Sequence, residues 1–183
     1  MVAILLGNGF EEMEALCPCD CLRRVGVEVR LVSVDGSKVV MGAHGIHVVA
    51  DCTLREVEAD EIDLIMLPGG LGGVNAINAS RDAMALIRQV YDDGGYVAAI
   101  CAAPTVLAAL HITDGKQATC YPGMESRMGS ARMCMDQSVV QDGKVITSTA
   151  AGTAMEFALY LVQLLAGEKA VQELKDSLVY HCR

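Results

Sequence analysis

Positive charge is scarce in this chain of 183 residues: 14 lysines and arginines stand against 23 aspartates and glutamates, for a formal net charge of −9. That balance argues against nucleic acid or an anionic membrane surface as a partner. The sequence contains no apolar run of about 18 residues, so no membrane span is expected. Linkers, internal repeats and low-complexity stretches are missing too, which points to a single domain over residues 1–183. The opening Met1-Val2-Ala3-Ile4-Leu5-Leu6-Gly7 has no basic region and no cleavage site, and reads as a first strand, not a signal peptide. A cytoplasmic protein is the expectation. The eight cysteines then read as reduced thiols, because nothing points to an oxidising compartment and a chain that is 52% hydrophobic needs no disulfide staples.

What is present is an alternation of short β-rich runs with helical runs, the pattern of a parallel sheet covered on both faces. Strands are expected at Val2–Gly7, Glu28–Val34, Ile62–Leu67, Tyr96–Ile100, Gln117–Tyr121, Ser138–Gln141 and Lys144–Ser148. Lys38–Met41 and Ile46–Ala50 are expected to form a hairpin or an edge extension. Helices are expected at Glu11–Val25, Ser80–Asp93 with Ser80 as its cap, Ala102–Leu110, Gly152–Ala166 and Glu168–Ser177. Cys17-Pro18-Cys19-Asp20-Cys21 lies inside the first of these. Cys17 and Cys21 would share a helix face, and the spacing favours packing cysteines over a metal site.

One cysteine stands apart. Tyr96-Val97-Ala98-Ala99-Ile100 reads as a buried parallel strand, and Pro104 fits the first turn of the helix that follows. Cys101 therefore sits at a sharp strand-to-helix turn, with backbone N–H groups aimed at it and a helix N-terminus that favours thiolate. Ligands of such sheets bind beyond the carboxyl ends of the strands. The same end carries Pro68-Gly69-Gly70, whose N–H groups can approach a substrate oxygen, and the acids Glu11, Glu12 and Glu14. The Ala102 N–H is the natural second donor. Glu14, turned into the crevice, would be pushed toward its protonated form and could tune or serve the thiol. Of the four histidines, His44, His47, His111 and His181, none is adjacent to Cys101. His111 reads as a helix C-terminal residue and His47 as exposed on a strand.

Gly9-Phe10-Glu11-Glu12-Met13-Glu14-Ala15, Leu67-Pro68-Gly69-Gly70, Ala98-Ala99-Ile100-Cys101-Ala102-Ala103-Pro104 and Thr147-Ser148-Thr149-Ala150-Ala151-Gly152-Thr153 occur in this order. Together they resemble the ThiJ/PfpI superfamily, in the branch of the parkinsonism-associated protein DJ-one and its bacterial relatives. The resemblance spans essentially the whole chain. It implies an α/β, flavodoxin-like three-layer sandwich with a mainly parallel central sheet, usually a homodimer. It also implies that Cys101 is the reactive, easily oxidised thiol and Glu14 its protonated partner, with Gly70 and Ala102 as oxyanion donors. Members are described as glutathione-independent glyoxalases, as deglycases, or as oxidative-stress sensors and chaperones.

The chain departs from that pattern in a consistent direction. Tyr121, before Pro122, stands where DJ-one has a histidine, and its role would be binding or hydrogen bonding, since tyrosine is a poor base at neutral pH. Thr149 replaces an arginine, Ala151 a proline, and His44 another arginine. The cationic groups that would hold an anion beside the thiol are thus depleted, which weighs against the redox-sensor alternative. Ala102 replaces the histidine that follows the cysteine in protease-like members, which weighs against peptidase activity. The expected function is a cysteine-dependent glyoxalase or deglycase acting on small α-oxoaldehydes or their glycated adducts. No motif points to a metal or organic cofactor.

Overall fold

In a computed structural model describing residues 1–180, the strand runs of the sequence line up by the pattern of their side chains. His181 and Cys182 lie outside the described residues. The chain begins with β1 (Val2–Leu6) and α1 (Glu12–Arg24), then β2 (Val29–Ser33) and the hairpin β3 (Val39–Met41) and β4 (His47–Val49). It continues through β5 (Cys52–Thr53), β6 (Leu64–Leu67), α2 (Leu71–Ala79), α3 (Arg81–Asp92), β7 (Tyr96–Ile100) and α4 (Pro104–Ala109). The last third holds β8 (Gln117–Ala118), β9 (Arg132–Met133), β10 (Val139–Asp142), β11 (Val145–Ser148), α5 (Ala154–Ala166) and α6 (Glu168–Leu178).

Seven strands form one sheet in the order β10-β11-β7-β6-β1-β2-β5. All neighbours are parallel except the edge strand β10, which pairs antiparallel with β11. Successive strand residues point to opposite faces, so each strand feeds two cores. Ile4, Leu6, Leu64, Met66, Ala98 and Ile100 pack with Leu22 of α1 and Phe157 and Leu161 of α5. Ala3, Leu5, Ile65, Leu67, Val97 and Ala99 pack with Ile77 of α2, Ile87 of α3 and Val106 of α4. The result is a flavodoxin-like three-layer α/β sandwich.

Local chemistry explains the boundaries. Glu11 caps α1, its carboxylate accepting the Glu14 N–H at 2.8 Å, and Arg23 and Arg24 occupy the last turn, where the helix dipole favours cations. Ser80 caps α3 by accepting the Ala83 N–H at 3.2 Å. The helix after Cys101 starts later than expected, at Pro104, because the Ala103 N–H closes a turn onto Ile100 O. The strand expected at Gln117–Tyr121 stops at Ala118, since the Thr119 N–H donates to the Thr147 hydroxyl and not to a ladder partner. The expected hairpin forms from β3 and β4, antiparallel and separate from the main sheet. Three elements come without sequence warning: α2, the short edge strand β5, and β9, which pairs with β8 in a separate two-stranded sheet.

Phe157 is fully buried at the centre of the α1–α5 side. Its truncation to alanine removes a core ring, and a loss of about 3–5 kcal/mol is expected in urea unfolding. A loss below about 1 kcal/mol would show that this layer does not hold the sheet.

Candidate active site

Four adjacent strands, β1, β6, β7 and β11, end at one edge of the sheet, and each contributes backbone or side chain to one cluster. The turn after β1 is clamped to the end of β6, because the Glu11 N–H donates to Gly69 O at 3.0 Å. That clamp aims the first turn of α1 at the strand ends. The three acids of the turn then take three different tasks. Glu11 caps the helix. Glu12 reaches outward to the β3–β4 connection, where its carboxylate accepts both the backbone N–H of His44 and the His44 ring, each at 2.8 Å. Glu14 turns inward and is completely buried.

Glu14 Oε2 accepts the Gly69 N–H at 2.7 Å, while Oε1 is buried with no hydrogen-bond partner. Gly69 lies between Glu14 and Cys101. A Cβ there would stand 2.5 Å from Glu14 Oε2, 2.7 Å from Cys101 Cβ and 3.0 Å from its Sγ, so no side chain fits between them. Gly70, at φ +80°, is equally constrained, since a Cβ would meet Gly9 O and Glu11 N of the β1–α1 turn.

Cys101 adopts φ +65°, in the left-handed region that a non-glycine residue rarely enters. Such a conformation costs on the order of 1–3 kcal/mol and persists only when its surroundings enforce it. Two hydrogen bonds do so. The Cys101 N–H donates to Ser148 O at 3.0 Å, and the Cys101 carbonyl accepts the Tyr121 N–H at 2.8 Å. Below the turn, the Thr105 hydroxyl donates to Ala102 O at 2.7 Å. The turn leaves the thiol half-buried, with the Gly70 and Ala102 N–H groups directed at sulfur.

Burial raises the Glu14 carboxyl from its ordinary 4.5 to about 7, against the pull of the Gly69 N–H, the Cys101 thiol and the Ala151 amide. Burial, then the charge of Glu14, push the Cys101 thiol up to about 12, while the Ala102 and Gly70 amides favour thiolate. The two groups titrate as a pair: the first proton leaves near 7 and the second near 12. Between those limits the pair carries one proton.

The fold thus brings Cys101, Glu14, Gly69, Gly70 and Ala102 together, but gives the two glycine amides different partners: Gly69 holds Glu14 and Gly70 faces sulfur. Tyr121 adjoins the cluster through its backbone, and its side chain is exposed. The described histidines are elsewhere: His44 pairs with Glu12, His111 with Asp114 at 3.0 Å, and His47 is exposed on β4. Ser148 and Thr105 had no assigned role in the sequence. Ser148 acts here through its carbonyl, which residue type does not announce, and Thr105 through a hydroxyl that only the fold brings to Ala102 O. A cavity of about 450 Å³ lined by Ile62, Asp63, Tyr96 and Lys144 lies at the opposite end of the strands.

The chain is a parallel α/β sandwich with a cysteine on a strained strand-to-helix turn, faced by a buried carboxyl. The chain belongs to the DJ-1/PfpI family, whose model matches residues 1–164. It is 41% identical over 177 residues to protein dj-1beta of Drosophila melanogaster, covering 96% of this chain and 95% of that one. It is 32% identical over 165 residues to deglycase PfpI of Pyrococcus furiosus, covering 90% of this chain and 98% of that one. The crystal structure of Drosophila melanogaster DJ-1beta superimposes with a TM-score of 0.93 at 40% identity, covering 99% of this chain and 98% of that chain.

A carboxyl moved from 4.5 to about 7 also fixes the sign of a stability change. Between those values the unfolded chain has lost the Glu14 proton and the folded chain keeps it. The Glu14 contribution to stability therefore falls as pH rises through that window, by about 3 kcal/mol, and is constant above it. Glu14→Gln lacks this slope. The melting temperature of the variant relative to the parent is expected to climb between pH 4.5 and 7. A pH-independent difference would contradict the burial of an ionisable Glu14.

Proposed function

We propose that the chain is a cysteine-dependent, glutathione-independent enzyme that acts on small α-oxoaldehydes or on the glycated adducts they form. The observation that carries this reading is the fully buried Glu14 carboxyl and the Cys101 thiol closing on Gly69 from its two sides. A lone activated thiol would suffice to add to a carbonyl. Isomerising the adduct needs a second group that takes and returns a proton, and Glu14 is placed for that.

The Cys101 thiolate attacks the aldehyde carbon, forming an S–C bond and a hemithioacetal whose oxygen takes a proton. The Gly70 and Ala102 amides face the sulfur, where the developing oxyanion would lie. Glu14 as carboxylate then removes the proton from the former aldehyde carbon and delivers it to the neighbouring ketone carbon, while the hydroxyl proton of the hemithioacetal passes to the ketone oxygen. The aldehyde carbon is oxidised and the ketone carbon reduced, so no external oxidant is required. The product is a thioester, which water hydrolyses to a 2-hydroxy acid and free Cys101. A glycated amine or thiol adduct would enter the same route once its amine or thiol leaves the carbon with a proton and the Cys101 sulfur takes its place. The name of the Pyrococcus furiosus relative, a deglycase, supports this class of substrate. The exposed apolar residues Met13, Val39, Met41, Ile46 and Val49 support the homodimer in the same reading. No helix among the described residues is long and apolar enough to cross a membrane.

Methylglyoxal consumption with lactate detection, in amine-free buffer, tests the proposal. The parent protein is expected to form lactate, Cys101→Ser none, and Glu14→Gln about 10²–10⁴-fold less. Lactate formation retained in Cys101→Ser would overturn it.

A further inference from the structure

Away from the catalytic pair, sulfur gathers at a second place. Cys17 and Cys21 lie one turn apart on α1, and the sequence favours packing for both. The fold adds a third sulfur from a distant segment. Met155, in the first turn of α5, places its Sδ 4.0 Å from Cys21 Sγ. Cys17 and Cys21, at positions i and i+4, share one face of α1. Cys21 is buried while Cys17 and Met155 are partly exposed, so the trio sits in the α1–α5 seam with one side open.

Geometry discriminates among the uses of such a trio. Helix positions i and i+4 hold their Cβ atoms about 5–6 Å apart. A disulfide needs about 3.5–4.5 Å, so closing one here would distort α1. A structural zinc site needs four nitrogen, sulfur or oxygen donors. Among the described residues, no histidine, carboxylate or further cysteine gathers with Cys17 and Cys21. Two thiolates and a thioether are instead the soft donor set that selects Cu(I). We propose that Cys17, Cys21 and Met155 form a binding site for a soft monovalent cation of the Cu(I) class.

Binding exchanges two thiol protons for two copper–sulfur bonds, adds the thioether as third donor, and transfers no electron. The bound unit carries one negative charge. Cys17 is the more accessible thiol, which makes it the entry ligand. The site is independent of Cys101 and of the proposed aldehyde chemistry.

Anaerobic titration of the full reduced chain with Cu(I), against a chromophoric Cu(I) chelator, tests the assignment. One Cu(I) per chain is expected to be retained by the parent and by Cys101→Ser, and lost in the Cys17→Val, Cys21→Val double variant. Met155→Leu keeps both thiols and the packing volume. X-ray absorption is expected to count three sulfur neighbours around copper in the parent and two in Met155→Leu, a readout that stands even if the double variant misfolds. Retention of the ion by a folded double variant, its loss in Cys101→Ser, or an unchanged sulfur count in Met155→Leu would each overturn the proposal.

Discussion

The hydrogen bond from the Gly69 N–H to Glu14 Oε2 is the contact on which the site depends. It crosses from the end of β6 to the first turn of α1 and fixes a carboxyl where no water competes for it. The contact is short because Gly69 has no Cβ, and the same missing atom lets Cys101 close on the carboxyl from the other side. One backbone amide thereby sets two properties at once. It positions the acid, and it satisfies only one of its oxygens, leaving the other buried and unpartnered. An ionised carboxylate is costly in that state, and a protonated one is not.

The surrounding structure supplies what this arrangement requires. A left-handed cysteine is unfavourable alone, and the ends of β11 and of the segment before Tyr121 hold it by backbone bonds. Glu11 holds the β1–α1 turn to β6 by a third. Three loops are thus tied to three strand ends through main-chain atoms, so the reactive side chains are left free for chemistry. The hydrophobic sheet beneath is what makes these ties rigid, since its central strands are buried on both faces.

Much of this was legible in the chain. The apolar runs of β1, β6 and β7 are short and flanked by turn residues, so strand positions and the parallel order of the layers could be read from them. The Ile100-Cys101-Ala102-Ala103-Pro104 junction declared a strand-to-helix turn, and the turn is there. The acids were less separable. Glu11, Glu12 and Glu14 all suit the start of a helix, and only tertiary contacts divide them into a cap, a clamp on His44 and a buried partner of Cys101. Helix α2 escaped notice because Leu71-Gly72-Gly73 reads as loop. Those glycines serve close packing, since a Cβ at Gly72 would lie 2.9 Å from Asn8 O and one at Gly73 would lie 2.8 Å from Phe10 Cα. The sulfur trio was invisible for a related reason: Met155 reaches Cys21 only through the packing of α5 on α1.

The central claim is that Cys101 and Glu14 titrate as one pair, which loses its first proton near pH 7. The direct measurement is the pH dependence of Cys101 alkylation by iodoacetamide, followed by intact mass and peptide mapping to separate it from the other thiols. The account predicts that the rate in the parent protein rises through about pH 7, as the pair loses its first proton, and that this step disappears in Glu14→Gln. A rate that stays flat through neutral pH and rises only in the ordinary thiol range, in parent and variant alike, would contradict it.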